Sequence, residues 1–345
     1  MNDSLEKQRG AVALVVAASL VALLSVVALG VDMGHVMIVR NQIQNAADAA
    51  ALHGASYLYS QGSTPNFSAG GPAVTNATSA VGLNMNVTSN DSVNVAANYW
   101  QALNPSAPSN EAAVRVSLSK QVKLYFAPIF GMQHANVSAS ATAIVQSPTT
   151  MGQGAINVPM AIGSCMFNQY WDSANNKPKT DPNTNQPYVF QIGSSYAYNS
   201  GGGNGEDGHG GGNCTSGQWT PLSSQQDNSD STIQQCFEHG NSSTLQANKD
   251  QIWLQTGDKN NLYDYVNNCS ESGNRSCEYS TVPVVNTVNP GSEQNITAMA
   301  CLHIISATGG SGKYVTAQMS TGCSPNNASG SGASYGVVAP PKLAQ

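Results

Sequence analysis

The chain has 345 residues, a net charge of -6 and only 9% charged residues, against about 25% in ordinary soluble domains. Gly, Ser, Asn and Thr fill the gap, and the thin negative charge leaves no basic patch, so nucleic acid is not an expected partner. A hydrophobic share of 40% supplies a packed core and excludes wholesale disorder.

Residues 11–31 contain no charged side chain. At 1.5 Å per residue they span about 31 Å, which matches a bilayer core of about 30 Å. Lys7 and Arg9 precede this run, and after it Arg40 is the only Lys or Arg until Arg115. The positive-inside rule therefore places the N-terminus in the cytoplasm and the bulk of the chain outside. A cleaved signal peptide is the rival reading, with Ala28-Leu29-Gly30 as its cleavage site, but the apolar run exceeds a signal core of about 7–15 residues. A prepilin cut after Gly10 would carry Glu at its fifth mature position, where Val15 stands.

Helical periodicity continues beyond the membrane. Val36, Val39, Ile43, Ala46, Ala50, Gly54 and Tyr57 recur at steps of three or four, and proline is absent before Pro65, so one helix is expected to run on to about residue 59. Residues 46–55 are unusually small-sided, which suits close packing on a sheet or on partner helices. Small residues also recur at Ala18, Ala22, Gly30 and Gly34, and the last two form a G-x-x-x-G pair at the outer membrane edge. Gly30, Gly34, Ala46, Ala47, Ala50 and Gly54 are the expected partner-contact residues.

Three stretches carry a family resemblance. They are Arg9-Gly10-Ala11-Val12-Ala13, then Gly30-Val31-Asp32-Met33-Gly34, then Val39-Arg40-Asn41-Gln42-Ile43-Gln44-Asn45-Ala46-Ala47-Asp48-Ala49-Ala50-Ala51-Leu52-His53-Gly54-Ala55. Anchor, acidic exit residue and Ala-rich helix together resemble the N-terminal signature of TadE/TadG-like proteins of bacterial Tad/Flp pilus systems. His53 departs from the pattern, where another small residue is expected. The resemblance implies a part of an envelope machine that builds adhesive pili, other Tad pilus assembly proteins as partners, and no catalysis.

Residues 61–71 read as a loop, and strand-like alternation is expected from there on. Val114, Val116 and Leu118 share one face, as do Val122, Leu124 and Phe126, while Val137, Ala139, Ala141, Ala143 and Val145 form another run. Ala127-Pro128-Ile129-Phe130-Gly131 connects them. Such a strand pair after the helix is also similar to TadG-like proteins. Residues 148–154 are a plausible boundary. Beyond it, 231–237 reads as helix, and 251–255, 282–285, 298–305 and 314–317 read as strands, the last two paired. The glycine-rich stretch 201–212 reads as a mobile loop. The order from Gln218-Trp219 through Gln251-Ile252-Trp253-Leu254-Gln255 to Val282-Pro283-Val284-Val285 again resembles the C-terminal part of some TadG-like proteins.

All seven cysteines lie in this second region. Wide spacing without C-x-x-C argues for disulfides in an exported chain and against zinc. Cys269 and Cys277 flank a polar loop and form a local candidate pair. The other bridges are drawn from Cys165, Cys214, Cys301 and Cys323 with connectivity open, which leaves Cys236 odd. A buried thiol is the other reading of Cys301.

Several strings imitate functional sites. Asp227-Asn228-Ser229-Asp230-Ser231 spells the metal motif of von Willebrand A domains, but the preceding polar residues form no buried strand, so a helix cap is expected. Gly332-Ala333-Ser334-Tyr335-Gly336 and His209-Gly210-Gly211-Gly212 imitate an esterase, yet no Asp or His follows the serine. Gly309-Gly310-Ser311-Gly312-Lys313 lacks the first Gly and the final Ser/Thr of a phosphate loop and reads as a turn. Asp181-Pro182-Asn183-Thr184-Asn185 lacks the Gly and Glu of an EF-hand. No catalytic, cofactor or metal residue is therefore assigned.

The reading is an α+β protein. Residues 1–10 form a cytoplasmic N-terminus and 11–31 a single-pass transmembrane helix in the bacterial inner membrane. Residues 32–60 form an Ala-rich extracytoplasmic helix, 61–147 a small β-sheet module, and 155–345 a β-rich disulfide-containing domain, periplasmic or extracellular. The expected role is a structural component of pilus biogenesis, either a minor subunit or an envelope tether. The alternative is an adhesin whose second domain binds a surface ligand.

Overall fold

The computed structural model describes residues 3–60, 64–107, 111–193, 197–198, 214–257, 259–310, 312–333 and 335–344. Helix α1, Asp3–Ala55, runs unbroken for 53 residues, about 80 Å at 1.5 Å per residue. It has no proline, and its many Ala and Leu residues favour helix. Its two halves meet different surroundings. Every Leu and Val from Leu14 to Val31 is exposed. In water each would forgo about 1.5–3 kcal/mol of burial, so this half calls for an apolar surrounding. The helix is long and apolar enough to cross a membrane, with a mean hydropathy of 2.7. Farther on, Val39, Ile43, Ala46, Ala47, Ala50 and Ala51 form a buried stripe.

That stripe lies on a sheet. Strands β1 (Ser92–Tyr99), β2 (Ala112–Lys123) and β3 (His134–Val145) pair antiparallel in that spatial order. Val114, Val116, Leu118 and Val122 of β2 join Val137, Ala141, Ala143 and Val145 of β3 in the core with α1. The two apolar runs read from residues 114–126 are thus one strand ending at Lys123, followed by a tight tip. Helix α2, Pro72–Asn84, corrects the strand alternation expected there. Its buried residues Ala73, Ala77, Ala80 and Val81 follow helical spacing, and Pro72 sits in the first turn, where its missing N–H costs nothing.

The second unit is a seven-stranded sheet. Its strands are β4 (Met160–Gly163), β5 (Val189–Ile192), β6 (Gly217–Trp219), β7 (Gln251–Leu254), β8 (Tyr279–Val285), β9 (Ser292–Thr308) and β10 (Tyr314–Met319). They lie in the order β6-β4-β8-β9-β10-β5, with β7 added along the first part of β9. Only β4 and β8 run parallel. The sheet is covered on both faces, and β9 shows why its sequence is so apolar. Ala300, Leu302 and Ile304 enter one core, whereas Met299 and Cys301 enter the other. Helices α3 (Ser164–Tyr170), α4 (Asp230–His239) and α5 (Asn260–Cys269) close the first of these cores through Phe167, Ile233 and Tyr263. Gly309 and Gly310 lie in the turn from β9 to β10, which pair antiparallel.

Three disulfides staple this unit, Cys165–Cys214, Cys269–Cys277 and Cys301–Cys323, and Cys236 is a buried thiol. The chain then returns to the first unit. Val338 packs in the core beneath α1, and Lys342–Leu343 adds a fourth strand beside β3.

Candidate membrane and partner surface

The small-sided face of α1 is consumed inside the chain. Ala46, Ala47 and Ala50 are buried against α2 and the first sheet, and Gly54 is buried with them. A Cβ on Gly54 would meet the Ala77 Cβ at 2.6 Å and the Ala73 carbonyl oxygen at 2.8 Å. The close approach they permit is filled within the chain, by α2 and the first sheet. His53 fits because it points outward, where its ring meets Tyr57. Gly30 and Gly34 are different. A Cβ on either would meet nothing within 4 Å, so this pair stays open on the anchor.

Asp32 is the first polar side chain after the apolar run, and it is buried. Its carboxylate accepts the N–H groups of Tyr125 at 2.7 Å, Phe126 at 3.0 Å and Ala127 at 2.7 Å. Those residues open the 3-10 turn Ala127–Phe130 at the tip between β2 and β3. Asp32 thus caps a turn from another part of the chain and locks the sheet to the helix where the helix leaves its apolar stretch. Burial works against the charge, but the three N–H groups and nearby His35 outweigh it and hold the carboxyl below its ordinary range. His35 also packs its ring on Tyr125 at 5.1 Å. In sequence Asp32 is visible only as an acidic exit residue. Nothing there links it to partners more than ninety residues away.

The imitated sites resolve into ordinary structure. Asp227 accepts the Ser229 N–H and the Thr232 hydroxyl at the start of α4. The Lys259 ammonium pairs with Asp230 at 3.0 Å and donates to the Asn228 carbonyl. A cation of the chain's own thus occupies this corner. A hollow of about 860 Å³ opens beside it, with Asp227, Cys236 and His239 on its wall. Cys236 donates to the Pro221 carbonyl, and burial pushes its thiol up, the opposite of an activated nucleophile. Glu271, Glu278 and His303 converge closely enough to hold an ion. However, Arg275 forks onto both oxygens of Glu278 at 2.6 and 2.7 Å, so that carboxylate is already taken. Gly336, with φ of 82°, sits so near the Ser320 carbonyl that no side chain fits, which accounts for that glycine without catalysis. Ser334 and residues 201–212 lie outside the described residues.

Residues 10–56 match the family model of Flp pilus-assembly TadE/G-like proteins, and residues 38–143 match that of Tad-like Flp pilus assembly. Over residues 10–143 the chain is similar to Tad-like Flp pilus-assembly proteins. The two matches overlap over residues 38–56 and the second ends within β3, so together they span most of α1, the Asp32 latch and the first sheet. These matches support a pilus-related role, and families of this kind are structural. No curated protein and no solved structure matches the chain.

Proposed function

We propose that this Tad-like protein is a structural, membrane-anchored component of Flp pilus biogenesis, a minor subunit or envelope tether. In this reading residues 11–31 cross the inner membrane with the N-terminus in the cytoplasm. Residues 32–147 are the assembly module, and 155–345 are the oxidised domain it carries. The observation that supports it most is α1 itself. One unbroken helix has a bare apolar half and a half buried in the first sheet. Force or position at the membrane is therefore passed to the folded part without a flexible joint. Partners are other Tad pilus assembly proteins, and the open Gly30 and Gly34 pair is the place on the anchor where a second helix would fit closely.

The test is the intact mass of membrane-extracted protein, denatured and alkylated before and after reduction. The expected result is the full-length mass with one thiol alkylated before reduction and seven after. A chain beginning near Val31 would mean a released protein. Uniform labelling of every cysteine before reduction would mean an unbridged one. Either result removes the tether reading.

A further inference from the structure

The tip between β2 and β3 carries an exposed apolar cluster that the pilus role does not explain. Tyr125, Phe126, Ile129, Phe130 and Met132 all lie bare, with Ile129 at 80% and Phe130 at 69% exposure. Residues 124–133 contain no charged side chain. In a loop facing water this would be costly, because exposed apolar patches otherwise mark an interaction site.

Two further observations identify what covers it. The first is position. Asp32 follows directly on the apolar run, so it stands at the edge of the hydrocarbon core, and the tip's backbone is hydrogen-bonded to its carboxylate. The tip is therefore held at the bilayer surface by the same helix that crosses it. Exposed Val31 and Met33 on α1 continue the apolar surface. The second is how its backbone is satisfied. Asp32 takes the N–H groups of Tyr125, Phe126 and Ala127. Carbonyls of the tip take those of Ile129, Gly131 and Met132, and Pro128 has none. A loop that leaves its donors to water does not enter lipid, and this one turns most of its N–H groups inward, at the depth of the headgroup–acyl boundary rather than the hydrocarbon core. Exposed Lys123 and His134 stand opposite each other at the base of the tip, at the level where cationic and aromatic side chains anchor to headgroups.

We propose that this tip is a second membrane contact, inserting Tyr125, Phe126, Ile129, Phe130 and Met132 into the headgroup–acyl boundary of the bilayer that α1 spans. Such insertions reach about 5–10 Å below the surface. Two contacts fix orientation where one helix leaves rotation free, so the first sheet sits flush on the membrane and α1 leaves it at a set tilt. The proposal rests on the reading of residues 11–31 as a membrane span.

The experiment uses the full chain in lipid nanodiscs, with ordinary lipid or lipid brominated high on its acyl chains. Single tryptophans replace Phe130 (Phe130→Trp), Leu20 in the span (Leu20→Trp) and Tyr57 (Tyr57→Trp), which lies about 35 Å beyond Asp32 along the helix direction. The emission of the four native tryptophans is subtracted using the unsubstituted protein. The expected result is that brominated lipid quenches the added emission of Phe130→Trp and Leu20→Trp and leaves that of Tyr57→Trp intact. Quenching of Leu20→Trp alone overturns the tip contact and leaves the anchor standing. Blue-shifted but unquenched emission from Phe130→Trp means that protein covers the tip, and the lipid contact is again overturned. If Leu20→Trp is not quenched, the anchor falls and the tip contact falls with it.

Discussion

Two buried carboxylates in this protein are held ionised, one by backbone far along the chain and one by a neighbouring guanidinium. Asp32 is held by backbone N–H groups, and Glu278 is held chiefly by the Arg275 guanidinium, against burial, with His303 adding to the effect. Glu278 therefore keeps its charge to lower pH in the folded state than in the unfolded one. The stability this contributes is complete above the ordinary glutamate range. It is lost as pH falls through the depressed folded value, where the folded state must also take up the proton. Thermal melts at neutral and acid pH should show Glu278→Gln losing less stability on acidification than the unsubstituted chain. Equal acid sensitivity in both would mean that the Arg275 fork contributes nothing. His303 lies 3.4 Å from Glu278 and 3.2 Å from Glu271, and Tyr279 stacks on its ring. The cluster thus acts as a brace between α5, β8 and β9.

At the scale of elements, what the sequence made legible follows signal strength. The continuous α1 was plain because apolar and small residues kept one period for over forty residues without proline. Strands β2, β3, β9 and β10 were plain because alternation or apolar runs were long. Helix α2 was missed because its buried face is mostly alanine among Thr, Ser and Asn. That signal is too weak to stand out until the groove it fills is known. The same groove gives α1 and α2 their tight contact at Gly54. Gly54→Leu would force a side chain into Ala77, Ala73 and Val114, and overpacking of this kind costs about 1–3 kcal/mol. Gly30→Leu places the same side chain where nothing lies within 4 Å and should leave folding stability unchanged. Chemical denaturation of both variants in nanodiscs checks the contrast. If Gly54→Leu unfolds at the same midpoint as the original, the two helices are not packed as closely as described.

At the scale of the whole molecule, the protein uses two different ways to hold a fold together. The first unit has no cysteine and relies on a long helix sunk into a sheet and pinned by Asp32. The second unit has a core on each face of its sheet and carries all three disulfides. Bridges of these loop lengths contribute about 2–4 kcal/mol each by restricting the unfolded chain. Both Cys301 and its partner Cys323 are buried, which shields that bridge from reductant until the unit opens. Reduction under native conditions should therefore accelerate amide hydrogen exchange in β4 to β10 and leave residues 39–145 protected, as separate cooperative units would. The link between them is Val338 and the strand Lys342–Leu343, which the second unit sends back to the first sheet. If reduction instead loosens β3 together with the second unit, that return segment couples the two into one cooperative fold. The oxidation state of the second unit would then be felt at the sheet that rests against α1.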